Sequence, residues 1–438
     1  MTCALVAADD AKQRWLLSAG VLPLLRRLTA GRALAGAEAG DAAADALSAE
    51  DGRALGVRRA AARLLAILSA DAAAQTLFWG CGWQRWLEAA AAAEDCKLSS
   101  HAARALLHLE SARAFAPPAT AVVGAAGFGA MGGGAAAAPP GAAPGARLVL
   151  RDGVHLFSPG AGHHGVLARE GAAARSPGAP GLDVVFVHGL RGGPFATWRR
   201  ERGANRAALG HHACWPSAWL AQDLPAARLL SMQYAAPASG WEGESLPLWG
   251  TVGQLLDRLT AAGVGGRPVV FVCHSMGGVL VKEMLARAAA AGAPAHHRAL
   301  ADATAGLVTY STPHRGSWLA DVGWNLRYLG ASPAASVVHL KPGRHLEAVN
   351  DLLAARHAAG RLPVLAFAEG VPLSLAPVLP KLIVVPEASA FPGYGEAVVL
   401  PDADHITTCK PTGRADAAYA RLLDFLRARA AEAAAAAE

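Results

Sequence analysis

The sequence lacks the features that mark secreted, membrane-spanning and nucleic-acid-binding proteins. Its six cysteines are scattered without a Cys-X-X-Cys pair, which is typical of reduced thiols rather than of a disulfide framework. No uninterrupted apolar run approaches the roughly 18 residues of a membrane span. Lys and Arg form no long run, and the net charge of +6 is spread along the chain. Nucleic-acid binding is therefore unsupported, and weak attraction to anionic lipid headgroups is the most that the charge permits.

Signals for export, metal ions and cofactors are also missing. The apolar start of the chain, Met1 to Ala8, is too short for the core of a signal peptide, so we expect an intracellular protein. Three pairs of adjacent histidines occur, His163/His164, His211/His212 and His296/His297. They lie in Gly- and Ala-rich contexts without adjacent acidic or cysteine residues, and metal sites need convergent ligands. We therefore expect no metal and no cofactor.

Composition divides the 438 residues into three zones, too many residues for one ordinary domain. In residues 1–115, a helix, a glycine turn and a Leu-rich helix occur twice, around Gly20 and around Gly82. This order is typical of armadillo-like repeats, with an irregular helical bundle as the alternative. Residues 116–145 are Ala, Gly and Pro almost without charge, which predicts a flexible linker between two independently folded units.

Residues 146–432 alternate short apolar segments with helical patterns. This predicts an α/β domain whose mostly parallel sheet is covered by helices on both faces. The predicted strands are Leu182–His188, Arg228–Tyr234, Pro268–Cys273, Gly306–Tyr310, Leu362–Phe367 and Lys381–Val385. Ligands of such sheets bind at the carboxyl ends of the strands. Functional residues should therefore follow directly after a strand.

The strongest local signal is Pro268-Val-Val-Phe-Val-Cys-His-Ser-Met-Gly-Gly, where a strand enters a tight turn and a helix follows. This is the Gly-X-Ser-X-Gly nucleophile elbow of the α/β-hydrolase fold, with Cys273 in place of the first glycine. The turn needs small residues because the serine backbone is strained and the helix packs closely behind it. We predict that fold, with Ser275 as the nucleophile.

An oxyanion hole needs backbone N–H groups that point at the developing negative charge. Met276, directly after the nucleophile, would supply one of them. The other is expected from Leu190, because the strand that ends at His188 leads into a glycine-rich turn. His188 itself is interpreted as a structural hydrogen-bonding residue.

The general base should follow the nucleophile in the chain, with an acid between them. His405 lies late, in a loop before the last helix, and is favoured over His314, which follows a strand early. We expect His314 to contact substrate at the rim. Trp318 lies in a segment after that strand which could form a cap over an apolar acyl pocket, although such aromatic residues are more often part of an ordinary core.

The acid of the triad has several candidates in the sequence. Glu369 fits best, because it ends a predicted strand and is followed by a turn glycine. Glu387 follows the next apolar segment but has a proline before it. Asp404 is adjacent to His405 and Asp402 lies in the same turn, so both are expected to shape the loop. Glu387, Asp402 and Asp404 therefore stay open as alternatives to Glu369.

The motifs resemble the serine-active-site-containing protein family, which is related to lipase-like and inositol-deacylase-like hydrolases. The matching segments are Phe186-Val-His-Gly-Leu, Phe195-Ala-Thr-Trp-Arg, Cys214-Trp-Pro-Ser-Ala-Trp-Leu, His274-Ser-Met-Gly-Gly-Val-Leu-Val-Lys, Tyr310-Ser-Thr-Pro-His-Arg-Gly-Ser, Phe367-Ala-Glu-Gly, Val384-Val-Pro-Glu-Ala-Ser-Ala and Asp404-His-Ile-Thr-Thr-Cys-Lys-Pro. The resemblance implies an armadillo-like region before the hydrolase domain and supports Glu369 as the acid. It also implies a role in phosphatidylglycerol remodelling and cholesterol trafficking where the mitochondrion contacts the endoplasmic reticulum.

Two functions follow from these observations. The first is hydrolysis or transfer of a lipid or acyl ester through an acyl-enzyme, with peripheral membrane association. The second is a catalytically idle hydrolase fold that binds a protein partner through its helical repeats. Idle hydrolases commonly lose a member of the triad, whereas candidates for every role are present here, which favours the enzyme.

Overall fold

The computed structural model describes residues 10–29, 52–71, 74, 77–78, 81–114, 150–158, 181–200, 214–236, 248–316, 343–374 and 381–436. The predicted linker, residues 116–145, lies outside these ranges. The helices are α1 (Asp10–Ser18), α2 (Val21–Thr29), α3 (Gly52–Leu68), α4 (Trp83–Ala91), α5 (Cys96–Ala114), α6 (Leu248–Ala261), α7 (Met276–Ala289), α8 (Ala295–Asp302), α9 (Arg344–Ala358), α10 (Glu387–Ala390) and α11 (Ala417–Ala435). The strands are β1 (Val154–Ser158), β2 (Asp183–Val187), β3 (Arg228–Met232), β4 (Val269–His274), β5 (Thr304–Tyr310), β6 (Val364–Glu369) and β7 (Glu396–Leu400). A short helical segment before β3 consists of the π-helical turn Pro216–Leu220 and the helical turn Ala221–Asp223.

The strands form one seven-stranded sheet in the order β1-β3-β2-β4-β5-β6-β7. All neighbouring pairs are parallel except β1 and β3, which pair antiparallel at the edge. Every residue of β2, β4 and β6 is buried, as expected for strands with helices on both faces. This strand order, with the turn between β4 and α7, is that of the α/β-hydrolase fold, and it confirms the predicted fold class.

Alternate residues of each strand enter two separate apolar cores. In β4, Val269, Phe271 and Cys273 pack with α6, α7, α8 and α9. Val270 and Val272 point to the other face and pack with α11. Side chains of a strand alternate between faces, so a continuously apolar strand fills both cores at once. The two layers hold β4 in the middle of the sheet, and with it the turn that follows.

One predicted strand is wrong. The apolar segment Lys381–Val385 is not a strand; it makes one isolated bridge, between Leu373 and Leu382. Val384 and Val385 are buried in a small cluster with Ala368. The edge strand β7 forms further along the chain, where apolar and polar residues mix and several side chains are exposed. An edge strand with mixed polarity is hard to recognise from apolar runs.

The N-terminal helical region is confirmed, and it has its own core of Leu, Ala and Trp side chains. It is not separated from the sheet, however. Arg104 of α5 is 1% exposed and its guanidinium donates to the Val154 carbonyl of β1 at 3.4 Å. Leu107 of the same helix belongs to one of the two cores of the sheet, and Arg63 of α3 pairs with Asp152 at 2.6 Å. Helix α5 therefore covers the edge strand β1, and independent folding of the two units stays a prediction.

Candidate active site

Ser275 occupies the turn between β4 and α7 in a strained conformation. Its backbone angles are φ 52° and ψ −127°, in a region that residues other than glycine rarely adopt. The Ser275 N–H donates to the Tyr310 carbonyl at 2.8 Å, and the Thr312 hydroxyl donates to the Ser275 carbonyl at 3.1 Å. The turn is thus held on both sides, and the strain presents the side chain at the carboxyl end of β4 as a nucleophile elbow does.

The glycines around the turn leave no space for a side chain. A Cβ atom on Gly277 would lie 2.4 Å from the Val187 carbonyl oxygen, and one on Gly189 would lie 2.8 Å from the Ser275 Cβ. Cys273, at the position of the first glycine of the motif, is fully buried. Burial raises the pKa of the Cys273 thiol well above its usual value. The cysteine therefore packs in the core and does not act as a second nucleophile.

The structure brings the three predicted triad residues together. Ser275 Oγ lies 3.0 Å from His405 Nε2, and His405 Nδ1 lies 2.7 Å from Glu369 Oε2. The Glu369 side chain is fully buried, and its other oxygen accepts a hydrogen bond from the Val385 N–H at 2.7 Å. The His405 side chain keeps 12% of its surface exposed, so it can meet a substrate. This distance pattern matches nucleophile, base and orienting acid.

The three alternative carboxylates have other contacts or are exposed to solvent. One oxygen of Asp404 accepts hydrogen bonds from the N–H groups of Ile406 and Thr407, which shapes the loop that carries the histidine. Asp402 is exposed in the turn before it, and Glu387 is exposed at the start of α10. Glu369 is the carboxylate that the described part of the chain places on His405.

The backbone N–H groups predicted to form an oxyanion hole belong to Met276 and Leu190. Met276 is the first residue of α7, so its N–H has no acceptor within the helix. Leu190 is half-buried and follows Gly189, which approaches Ser275 closely; no acceptor for the Leu190 N–H is found among the described residues. Arg191 has a φ of 53° and its N–H donates to the Ala236 carbonyl at 2.7 Å, which fixes the turn. The Leu190 and Met276 N–H groups therefore stay the predicted donors of an oxyanion hole.

His188 has the structural role that the sequence indicated. Its ring stacks on Tyr234 with centroids 4.2 Å apart, and the Tyr234 hydroxyl donates to the His188 carbonyl. Its Nδ1 contacts the Gly189 carbonyl at 2.9 Å. Burial lowers the pKa of His188 to about 4, so the ring is neutral at ordinary pH and not placed for proton transfer at Ser275.

His274 was not predicted, although it directly precedes the nucleophile. Its Nε2 donates to the His405 carbonyl at 2.8 Å and so ties the elbow to the loop of the base. Burial lowers the pKa of His274 to about 3, which keeps the ring neutral with its proton on the bonding nitrogen. The position next to the serine was the signal available in the sequence, but its partner lies 131 residues away.

The prediction for His314 is wrong. Its side chain is 1% exposed, so it does not reach the rim. Beyond Ser311, whose φ is 44°, the chain turns inwards, and the ring lies 3.3 Å from Lys282 Nζ and 3.3 Å from Thr309 Oγ1. A strand end predicts the edge of the sheet but not the direction of the side chain. Trp318, the other predicted substrate contact, lies outside the described residues.

One group of potential metal ligands occurs in the described ranges, formed by Asp257, His296 and His297. Their ligand atoms lie within 4.8 Å of one another, and His297 Nε2 is 3.1 Å from Asp257 Oδ1. The acidic partner that the sequence did not reveal therefore comes from α6, 40 residues before His297. The group belongs to α6 and α8 rather than to the loops that carry the triad.

No helix in the described ranges has both the length and the apolar character of a membrane span.

No protein-family model matches the chain. Over 257 residues it is 37% identical to Protein SERAC1 from Bos taurus, and over 258 residues 36% identical to Protein SERAC1 from Homo sapiens. Each match covers 56% of this chain and 38% of the relative, so the chain spans well under half the length of these curated relatives. SERAC1 proteins are thus homologues of part of the chain, which confirms the resemblance inferred from the motifs.

Solved structures similar to the chain include a lipase and a carboxyl esterase. The mature form of the Bacillus licheniformis lipase BlEst2 has 19% identity and a TM-score of 0.39, over 58% of this chain and 96% of that one. The metagenomic carboxyl esterase MGS0156 has 18% identity and a TM-score of 0.34, over 60% of this chain and 82% of that one. The fold itself is established by the strand order of the sheet rather than by these scores.

Proposed function

We propose that the chain is a serine esterase that acts on a lipid or acyl ester, with Ser275 as nucleophile, His405 as base and Glu369 as acid. The observation that carries this proposal is the unbroken series of hydrogen bonds from the serine hydroxyl to the buried carboxylate. A nucleophile in a strained turn, an imidazole and an orienting carboxylate are the groups that acyl transfer requires.

In the proposed reaction, Ser275 Oγ attacks the ester carbonyl while its proton passes to His405 Nε2. The Nδ1–H of the resulting imidazolium donates to the Glu369 carboxylate, which stabilises the positive charge. Collapse of the tetrahedral intermediate breaks the bond to the alcohol, which takes the proton from Nε2 and leaves an acyl-serine. Water, activated by the neutral imidazole, then attacks the acyl-serine and releases the acid.

The negative oxygen of the intermediate would lie against the N–H groups of Leu190 and Met276. Each such donor contributes roughly 10² to 10³ in kcat in known acyl-transfer enzymes. The close approach of Gly189 to Ser275 supports this arrangement, because it brings the loop after β2 beside the nucleophile.

The substrate is proposed at two levels. The geometry favours acyl esters as a class, since nothing in the triad selects an alcohol. The family resemblance of the motifs implies phosphatidylglycerol-type phospholipids as the candidate substrate, with hydrolysis and transfer to a second lipid as the two outcomes. A lipid substrate would require peripheral contact with a membrane. The rival function, an idle scaffold, has less support because the groups for every catalytic role are retained.

Labelling with a fluorophosphonate tests the proposal, because the reagent forms a covalent bond with an activated serine. We expect wild-type protein to be labelled and Ser275→Ala to lose both labelling and activity on a short-chain p-nitrophenyl ester, by roughly 10⁶ in kcat. Ser217→Ala, in the helical turn Pro216–Leu220, is the control and should behave as wild type. Unlabelled wild-type protein that is inactive on a panel of esters would support the scaffold instead.

A further inference from the structure

A buried lysine lies on the helix that follows the nucleophile. Lys282 of α7 is 2% exposed, and its Nζ donates to Asn350 Oδ1 at 2.8 Å and contacts His314 Nδ1 at 3.3 Å. The described part of the chain places no carboxylate within ion-pair distance of it. Burial lowers the pKa of Lys282 to about 7. Because burying an ammonium group without a counter-charge is costly, this side chain is a poor choice for filling space.

The partner of the lysine, His314, is held at both ring nitrogens. Burial and the nearby positive charge of Lys282 keep its pKa well below the usual value, so the ring is neutral. In that state Nδ1 accepts from Lys282 and Nε2–H donates to Thr309 Oγ1, 3.3 Å away. The His314 ring is therefore held between α7 and the end of strand β5.

His314 lies in residues 311–316, which we name the bridging loop because it contacts the surroundings of all three triad residues. Thr312 Oγ1 donates to the Ser275 carbonyl at 3.1 Å. A Cβ atom added to Gly278 of α7 would lie 2.2 Å from Thr312 Oγ1, so loop and helix are in direct contact. On the nucleophile side, the loop therefore helps to set the strained turn.

The same loop reaches the base. Ser311 Oγ lies 3.4 Å from Thr408 Oγ1, and the Thr408 hydroxyl donates to the His405 carbonyl at 3.3 Å. Ser311 and Thr408 are both buried. Ser311 has a φ of 44°, a conformation that costs energy for a residue other than glycine and persists only where neighbours hold it.

The loop also contacts the segment that positions the acid. The His314 N–H donates to the Ser389 carbonyl at 2.8 Å, and the Ser389 hydroxyl donates to the Gly316 carbonyl at 2.6 Å. Ser389 is four residues after Val385, whose N–H binds the Glu369 carboxylate. One short loop is thus connected to nucleophile, base and acid.

We propose that Lys282 is a positioning residue of the hydrolase: through His314 it clamps the bridging loop, and the loop holds Ser275, His405 and Glu369 in register. The inference rests on the proposed function. It assigns the lysine no contact with substrate and no part in proton transfer.

The test uses the full chain and Lys282→Met, which keeps the length and the buried volume but removes the donors. We expect kcat to fall roughly 10- to 100-fold with KM unchanged, because displacement of a reacting group by about 1 Å can cost 10²-fold. His314→Gln should have a similar effect, and the double variant should be no slower than the slower single variant, because both changes release the same clamp. Leu285→Ala, on the same helix and 1% exposed, is the control: it should lower stability and leave kcat unchanged.

Amide hydrogen exchange of residues 311–316 gives a readout that does not depend on catalysis. We expect faster exchange of this loop in Lys282→Met and no such change in Leu285→Ala. If wild-type protein proves unreactive towards the fluorophosphonate, the proposed function fails, and loop exchange still decides whether the clamp exists. Slow exchange together with wild-type kcat in Lys282→Met overturns the proposal, as do additive effects in the double variant. If Lys282→Met does not fold, His314→Gln removes the same contact from the loop side and is read in the same way.

Discussion

Replacement of Glu369 by glutamine is the sharpest test of the triad, because the structure determines how the amide must sit. The carboxylate has two partners, with Oε1 accepting from the Val385 N–H and Oε2 facing His405 Nδ1, each at 2.7 Å. In glutamine the carbonyl oxygen would stay on Val385, since an N–H donor needs an acceptor. The amide NH₂ would then point at Nδ1, which must lose its proton to accept a hydrogen bond. The remaining ring proton moves to Nε2, where it blocks transfer from Ser275.

The expected loss is large and confined to the reaction. Neutralising a triad acid lowers kcat by roughly 10⁴, which corresponds to about 5.5 kcal/mol of barrier. The fold should persist, because glutamine has nearly the same volume and both of its polar groups keep a partner. Melting temperature should therefore shift by only a few degrees, about the size of a 1 to 2 kcal/mol change in a domain of this size.

The assay is kcat on a short-chain p-nitrophenyl ester, with the rate of fluorophosphonate labelling as a second measure of nucleophile activation. Asp404→Asn and Glu387→Gln are the matched controls, since each neutralises a carboxylate that does not contact the imidazole. Both should lose far less than Glu369→Gln. Near wild-type activity of Glu369→Gln, together with collapse of either control, would refute the assignment of the acid.

The remaining predictions concern stability. A fragment that begins at Ala146 lacks α5, which covers β1 in the full chain. If about 5 kcal/mol of apolar burial is lost, the fragment should melt about 10 to 20 °C below the full chain. Equal melting temperatures in calorimetry would instead support two independently folded units. Acid should destabilise the protein, because burial lowers the pKa of His155 and His274 to about 3 and of His188 to about 4. Below pH 6.5, about the histidine pKa in the unfolded chain, the unfolded chain binds protons that these buried histidines do not bind in the folded protein. The free energy of unfolding therefore falls by about 1.4 kcal/mol per pH unit for each histidine, until the pH reaches the pKa of that histidine in the folded protein. Urea titrations at pH 7, 6 and 5 measure this slope, and a flat profile would contradict it.

The nucleophile turn could be predicted from the sequence because all of its residues are contiguous in the chain. A strand, a small-residue turn with serine and a helix must be contiguous in the chain, and the close contacts of Gly277 show why that turn tolerates no side chain. Chain order and strand ends then led to His405 and Glu369, which the structure brings within hydrogen-bonding distance. These residues were predictable because a parallel sheet gathers the carboxyl ends of its strands at one edge.

The same rule failed where it said nothing of direction or of mixed polarity. His314 follows a strand, as Glu369 ends one, yet its side chain lies in the interior, because the chain turns inwards after the strained Ser311. The apolar runs of the sequence did not predict the edge strand β7, because a strand with an exposed face does not need a continuous apolar run. The apolar residues around Val385 pack in a small loop cluster and not in a strand.

Some features belong to the tertiary structure alone. Hydropathy and spacing describe neighbours in the chain, whereas α5 on the edge strand, Asp257 beside His297 and Lys282 against Asn350 join segments that are tens of residues apart. Whether a charged side chain is buried, and with which partner, depends on which segments pack together, and that is decided only when the two cores of the sheet close. The sequence by itself therefore determined the fold and the chemistry at the strand ends. Tertiary packing decided which polar groups hold that chemistry in place.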